Sequence, residues 1–152
     1  MLCSDNNSNM QLVQRENNME AIHLMLADAT NISREGKLNV LGIFNHINAR
    51  QFPAMHAQMY VIAELIAGPA EYDTEREITI KILDSDAQDV IVNWRKKIAI
   101  SRPTKGVMAN IKQILELKNL VFPKPDTYRV SLLVDNEEKM TTKLLVEEIS
   151  GS

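Results

Sequence analysis

Apolar residues recur at every second position in several separate stretches, which is the period of a β-strand and not of a helix. The clearest run is Tyr128 to Asp135, where Tyr128, Val130, Leu132 and Val134 share one face and Arg129, Ser131 and Asp135 the other. Glu77 to Leu83 alternates the same way, with Ile78, Ile80 and Ile82 inward and Thr79 and Lys81 outward, so a half-exposed strand is expected. Ala21 to Ala27 and Leu38 to Ile47 are apolar on both faces, the pattern of central strands. The loop between them carries Asn31, Ser33 and Gly36, which bond to their own backbone or accept positive φ, and it returns the chain as a hairpin. Met59 to Ile66 reads as a third strand ending at Gly68-Pro69, although the composition of Met55 to Ala67 also suits a helix. Val90, Val92 and Trp94 share a face before Arg95-Lys96-Lys97 interrupts, giving one irregular strand or two short ones. For residues 108–118 alternation and helical spacing fit equally well, so the choice between a strand and one short helix stays open.

The last connection is the most specific. Pro123 and Pro125 fix φ and cannot donate to a ladder, so the chain leaves one strand there and enters the next with Tyr128 at the entrance. In immunoglobulin-like sandwiches a tyrosine at such a corner buries its ring and returns its hydroxyl to the upstream backbone. Asn136 to Lys139 then makes a tight turn, and Met140 to Val146 a closing strand. The expected fold is all-β: an antiparallel, immunoglobulin-like β-sandwich of about eight strands, forming a single domain over residues 21–149. Residues 1–20, with five asparagines among Ser, Gln and Glu, are too polar to offset their ordering entropy and are expected to form a flexible arm.

Two stretches together resemble a known family. They are Leu26-Ala-Asp-Ala-Thr-Asn-Ile-Ser-Arg-Glu-Gly-Lys-Leu-Asn-Val-Leu-Gly-Ile-Phe44 and Leu120-Val-Phe-Pro-Lys-Pro-Asp-Thr-Tyr128, the latter leading to Leu133-Val-Asp135. With Phe52-Pro53 between them, the chain from Ala21 to Val146 resembles a family of small bacterial proteins of unknown function. The resemblance implies one compact domain and supplies no activity, cofactor or catalytic residue. Asp126 and Asn136 stand where glycine is common in that pattern, and both residue types tolerate the left-handed region.

Charge and chemistry change this picture little. A formal net charge of −3, with Lys and Arg scattered, gives no footprint for nucleic acid. The single cysteine, Cys3, cannot form an internal disulfide, and no apolar run approaches the length of a membrane span; the expected location is the cytoplasm, with no membrane partner. Five glycines form no phosphate loop. Asp84, Asp86 and Asp89 crowd one turn, but the calcium-loop register would need glycine at Asp89 and glutamate at Arg95, so a hydrogen-bonded turn is expected. Trp94 reads as a core anchor, and His56 falls in a loop.

No residue is therefore assigned as catalytic, cofactor-binding or metal-binding, and no cofactor is expected. The leading expectation is a non-catalytic module that binds a protein partner or forms a homo-oligomer through exposed sheet edges. The alternative is an enzyme, or a metal- or ligand-binding protein, with a site gathered near the first hairpin from His23, Asp28 and His46.

Overall fold

The computed structural model describes residues 17–150. The fold is all-β, with nine strands among the described residues: β1 (Glu20–Ile32), β2 (Leu38–Phe44), β3 (His46–Ala49), β4 (Ala54–Ala67), β5 (Glu75–Leu83), β6 (Val90–Ala99), β7 (Ala109–Phe122), β8 (Asp126–Val134) and β9 (Glu137–Glu148). They form a four-stranded sheet I in the order β2-β1-β4-β7 and a five-stranded sheet II in the order β3-β9-β8-β5-β6. Every pairing is antiparallel except that of β3 with β9. The period-2 residues do what alternation requires: Val61, Ala63 and Leu65 of sheet I meet Ile78, Ile80, Ile82, Val130, Leu132 and Val134 of sheet II in one core. Trp94 lies opposite Ile80 on β6 and packs against that core, half-buried.

The proline corner forms as its residues dictate. Tyr128 is fully buried, its ring meets Phe122 edge-on at 5.0 Å, and its hydroxyl donates to the Lys124 carbonyl at 2.6 Å. Lys124 Nζ lies 3.0 Å from Asp84 Oδ2 in the β5–β6 turn, while Asp84 Oδ1 accepts the backbone N–H of Gln88 and Asp89. The crowded acidic turn is thus held by its own carboxylate and bolted to the corner. Asp126 does not use the left-handed region; it belongs to β8, and its Oδ2 accepts from the Ser85 N–H and hydroxyl. Asp135 and Asn136 do use it, with φ of 50° and 67°, as a two-residue hairpin between twisted strands requires.

Several expectations need correction. Residues 38–47 are not one central strand: β2 is an edge of sheet I, and after Asn45 the chain crosses to sheet II, where β3 runs parallel to β9. Residues 55–67 lie in strand β4 and, of residues 108–118, all from Ala109 onward lie in β7, which puts His56 in a strand; the helical turn among the described residues is Pro69–Glu71. The outward-facing Thr79 is fully buried, because β5 is flanked on both sides and Leu133 and Arg95 stand opposite it. The folded domain also begins earlier than Ala21. Met19 is in the core, Asn17 Nδ2 donates to the Val134 carbonyl, and the Asn18 N–H donates to Glu71, which is itself clamped by Arg76. The rest of the expected arm, with Cys3, lies outside the described residues.

Candidate functional site

The first hairpin builds the most distinctive local structure. Its turn is made by local chemistry: the Gly36 N–H donates to the Ser33 carbonyl, the Lys37 N–H to Ser33 Oγ, and Gly36 has a φ of 85°. β1 pairs with β4 only from Glu20 to Ala27, so the hairpin beyond Ala27 has left the plane of sheet I. The departure coincides with Gly42, in mid-strand at a φ of 72° and opposite Asp28, where a Cβ would fall 2.5 Å from Asp28 Oδ2. Only glycine fits both the backbone and the space.

The bend carries the hairpin back over sheet I. Leu38 pairs with Ile32, nine residues along β1 from His23, and a flat ladder would hold them about 30 Å apart. Instead Gly36, Lys37, Leu38, Val40 and Ile43 face His23, Met25, Glu64 and Lys112 across a cleft of about 440 Å³. The tip goes further, since Glu35 lines a neighbouring hollow with Asn110, Lys112 and Gln113 of β7. Ile62 is fully buried although its parity points it away from the core.

The floor of the cleft is a polar network on adjacent strands. Glu64 Oε1 is 2.7 Å from His23 Nδ1, Glu64 Oε2 accepts from Asn110 Nδ2 at 2.7 Å, and Lys112 Nζ lies 3.7 Å from the same oxygen while donating to Asn110 Oδ1. The sheet register dictates this grouping, because Glu64 stands opposite His23 on one side and Lys112 on the other. The Glu64 side chain is only 10% exposed. Burial alone would raise its pKa, but the hydrogen bonds from His23 and Asn110, and then the charge of Lys112, outweigh burial and hold the carboxyl below the usual glutamate range. An ionised carboxylate only accepts, so His23 Nδ1 carries the proton and donates to Glu64, and Nε2 stays outside that bond. The lining offers charge, hydrogen bonds and apolar surface, and no hydroxyl or thiol.

The trio expected around the first hairpin is not brought together. His23 and Asp28 differ in parity along β1, so they leave its opposite faces. His46 sits on β3 in sheet II, with Nε2 3.3 Å from Glu147 Oε1, and the His56 ring meets Phe44 at 5.8 Å. Among the described residues no three His, Cys, Asp or Glu side chains are grouped to hold a metal. Glu64, Asn110 and Lys112 escaped the sequence reading, although a lone acid inside the apolar run Val61 to Ile66 was a readable signal for a buried partner.

Among solved structures, the chain is similar to the Pseudomonas fluorescens alkylpurine DNA glycosylase AlkC, bound to DNA containing an abasic site analog. The two are 12% identical with a TM-score of 0.51, over 86% of this chain and 31% of that one. A second is the β-glucosidase from Listeria innocua in complex with glucose, 9% identical with a TM-score of 0.48, over 89% of this chain and 16% of that one. The chain spans less than a third of either protein, and at these identities the first likeness is one of fold alone. No curated protein sequence matches it. No helix among the described residues is long and apolar enough to cross a membrane. Residues 22–147, from the strand beneath the cleft to the strand that closes sheet II, match the model of DUF6941, a family of unknown function, and the chain belongs to that family.

Proposed function

We propose that the chain is a non-catalytic binding module that docks a protein partner, or a second copy of itself, through the first hairpin. One observation carries this reading: on β2, one of the two edge strands of sheet I, Leu41 and Ile43 are 72% and 64% exposed. A buried central strand would have hidden them. An edge strand also presents unpaired N–H and C=O groups, which natural proteins usually blunt with charge, and β2 has none between Leu38 and Phe44. We read the sandwich as immunoglobulin-like, on the support of the tyrosine corner and the buried Phe122–Tyr128 pair.

The test is the solution mass of the purified protein by light scattering, alone and after incubation with extract of its own cells, for the natural chain and for Leu41→Ser/Ile43→Ser. The expected result is an oligomer or a stoichiometric complex that the double substitution abolishes while the unfolding midpoint stays in place. A monomer that retains nothing, or an assembly that the substitutions leave intact, would overturn the reading.

A further inference from the structure

The cleft beneath the hairpin shares Ile43 with the exposed edge but has a chemistry of its own. Its volume of about 440 Å³ falls within the range of small-molecule sites. Four of its nine lining residues, Met25, Leu38, Val40 and Ile43, are large and apolar. The remaining charges are unequal in what they have left to offer. Glu64 is the lining's only acid, and both of its oxygens are already engaged by His23, Asn110 and Lys112. Lys37 is exposed at the rim, and its ammonium has no ion-pair partner among the described residues. Lys112 donates one hydrogen bond to Asn110 and keeps further N–H groups.

We infer that this cleft binds a small amphipathic carboxylate, with its anionic head on Lys37 and Lys112 and its apolar body against Met25, Leu38, Val40 and Ile43. The neighbouring classes fit less well. A cation finds no free acceptor charge, because Glu64 is satisfied. A sugar would want a stacking platform and paired donors and acceptors, and no Phe, Tyr or Trp lines the cleft. A phosphate ester, carrying up to two negative charges, would want more cationic groups than one unpaired lysine, and the lining has no arginine. A monoanion with a short hydrocarbon body matches one free ammonium beside an apolar wall. His23 Nε2, which lies outside the bond to Glu64, adds one hydrogen-bonding position to the lining.

The test titrates the full-length protein with hexanoate, with hexylamine and acetate as comparators, following the methyl signals of Met25 and Val40 by NMR and the affinity by calorimetry. Hexanoate is expected to bind once per chain and shift both methyls, with hexylamine and acetate at least about tenfold weaker, since each lacks either the charge or the body. Lys37→Ala is expected to weaken hexanoate about tenfold and Lys37→Arg to keep most of the affinity. Lys37 lies in an exposed turn and uses only its backbone there, so the fold is not at stake. Leu41 and Ile43 remain untouched, which separates this outcome from that of the docking edge. Unmoved Met25 and Val40 methyls, hexylamine binding as well as hexanoate, or undiminished binding by Lys37→Ala would each overturn the inference.

Discussion

At the corner between β7 and β8, Phe122 and Tyr128 are wholly buried and the tyrosine hydroxyl closes on Lys124, while in the first hairpin the equally apolar Leu41 and Ile43 stand in solvent. Both regions carry conspicuous sequence patterns, and both change the direction of the chain. The corner does so with two prolines whose φ is fixed and a tyrosine whose polar tip must find an acceptor, so each residue states its own constraint. The hairpin does so with one glycine, which permits a bend without demanding it. Whether a strand ends up between two neighbours or at an edge is decided by where that bend sends it, and alternation carries no such information.

The corner should therefore fail hardest when cut. Tyr128→Ala removes a fully buried ring and its contact with Phe122, and about 3–5 kcal/mol of stability should be lost in urea unfolding. Tyr128→Phe keeps the ring and loses the hydroxyl, leaving the Lys124 carbonyl without that donor, for a cost of about 1 kcal/mol. If the two substitutions cost the same, packing is not what holds the corner, and the contrast with the hairpin loses its basis.

The hairpin should yield next. Gly42→Ala puts an L-residue at a φ of 72° and a Cβ 2.5 Å from Asp28 Oδ2, and a loss of about 2 kcal/mol is expected, with faster amide exchange concentrated in β2. Combining it with Asp28→Ala removes the collision but not the backbone strain, so about 1 kcal/mol should return. Exchange that accelerates uniformly across sheet I would show that the bend is part of the global unit and not a local device.

Acid distinguishes the two regions through carboxylates already in place. The ammonium of Lys124 and the N–H groups of Asp89 and Gln88 hold Asp84 below the usual aspartate range, and hydrogen bonds and charge hold Glu64 below the usual glutamate range. In each case the folded value is depressed, so the stabilisation is complete above the unfolded value of about 4 and disappears as pH falls through the folded one. Asp84→Asn and Glu64→Gln should each flatten the acid limb of stability against pH and converge with the natural chain at its lower end. The separation between natural and variant curves at neutral pH then shows whether the corner or the cleft depends more on its charge.

Much of this was readable from residues alone. Ile78, Ile80, Ile82, Val130, Leu132 and Val134 announce a shared core, and the sequence from Pro123 to Tyr128 specifies its corner. The cleft was not readable, because its parts become neighbours only through two ladders and a bend: His23 and Lys112 lie on either side of Glu64 by register, and Lys37 arrives over them from the far end of β1. Glu64 was the one local clue, since an acid within an apolar strand must be either exposed or paired. Asp28 and His46 misled because both lie close to the hairpin in sequence, yet one takes the other face of β1 and the other crosses to sheet II.

The smallest expected effect on stability is the one that bears most on function. Leu41→Ser and Ile43→Ser take apolar groups from positions that are mostly in water, so the isolated domain should change by no more than about 0.5 kcal/mol. The same substitutions in a core strand, such as Ile80→Ser, would leave a cavity and an unpaired hydroxyl and cost several kcal/mol. Measured together by urea unfolding, the pair isolates what exposure means here. Where Leu41→Ser/Ile43→Ser leaves stability unchanged but abolishes assembly, the apolar residues at this edge are there for a partner. If instead the double substitution destabilises the monomer by more than about 2 kcal/mol, these side chains serve the hairpin's own fold, and the edge is a consequence of the Gly42 bend and not a docking surface.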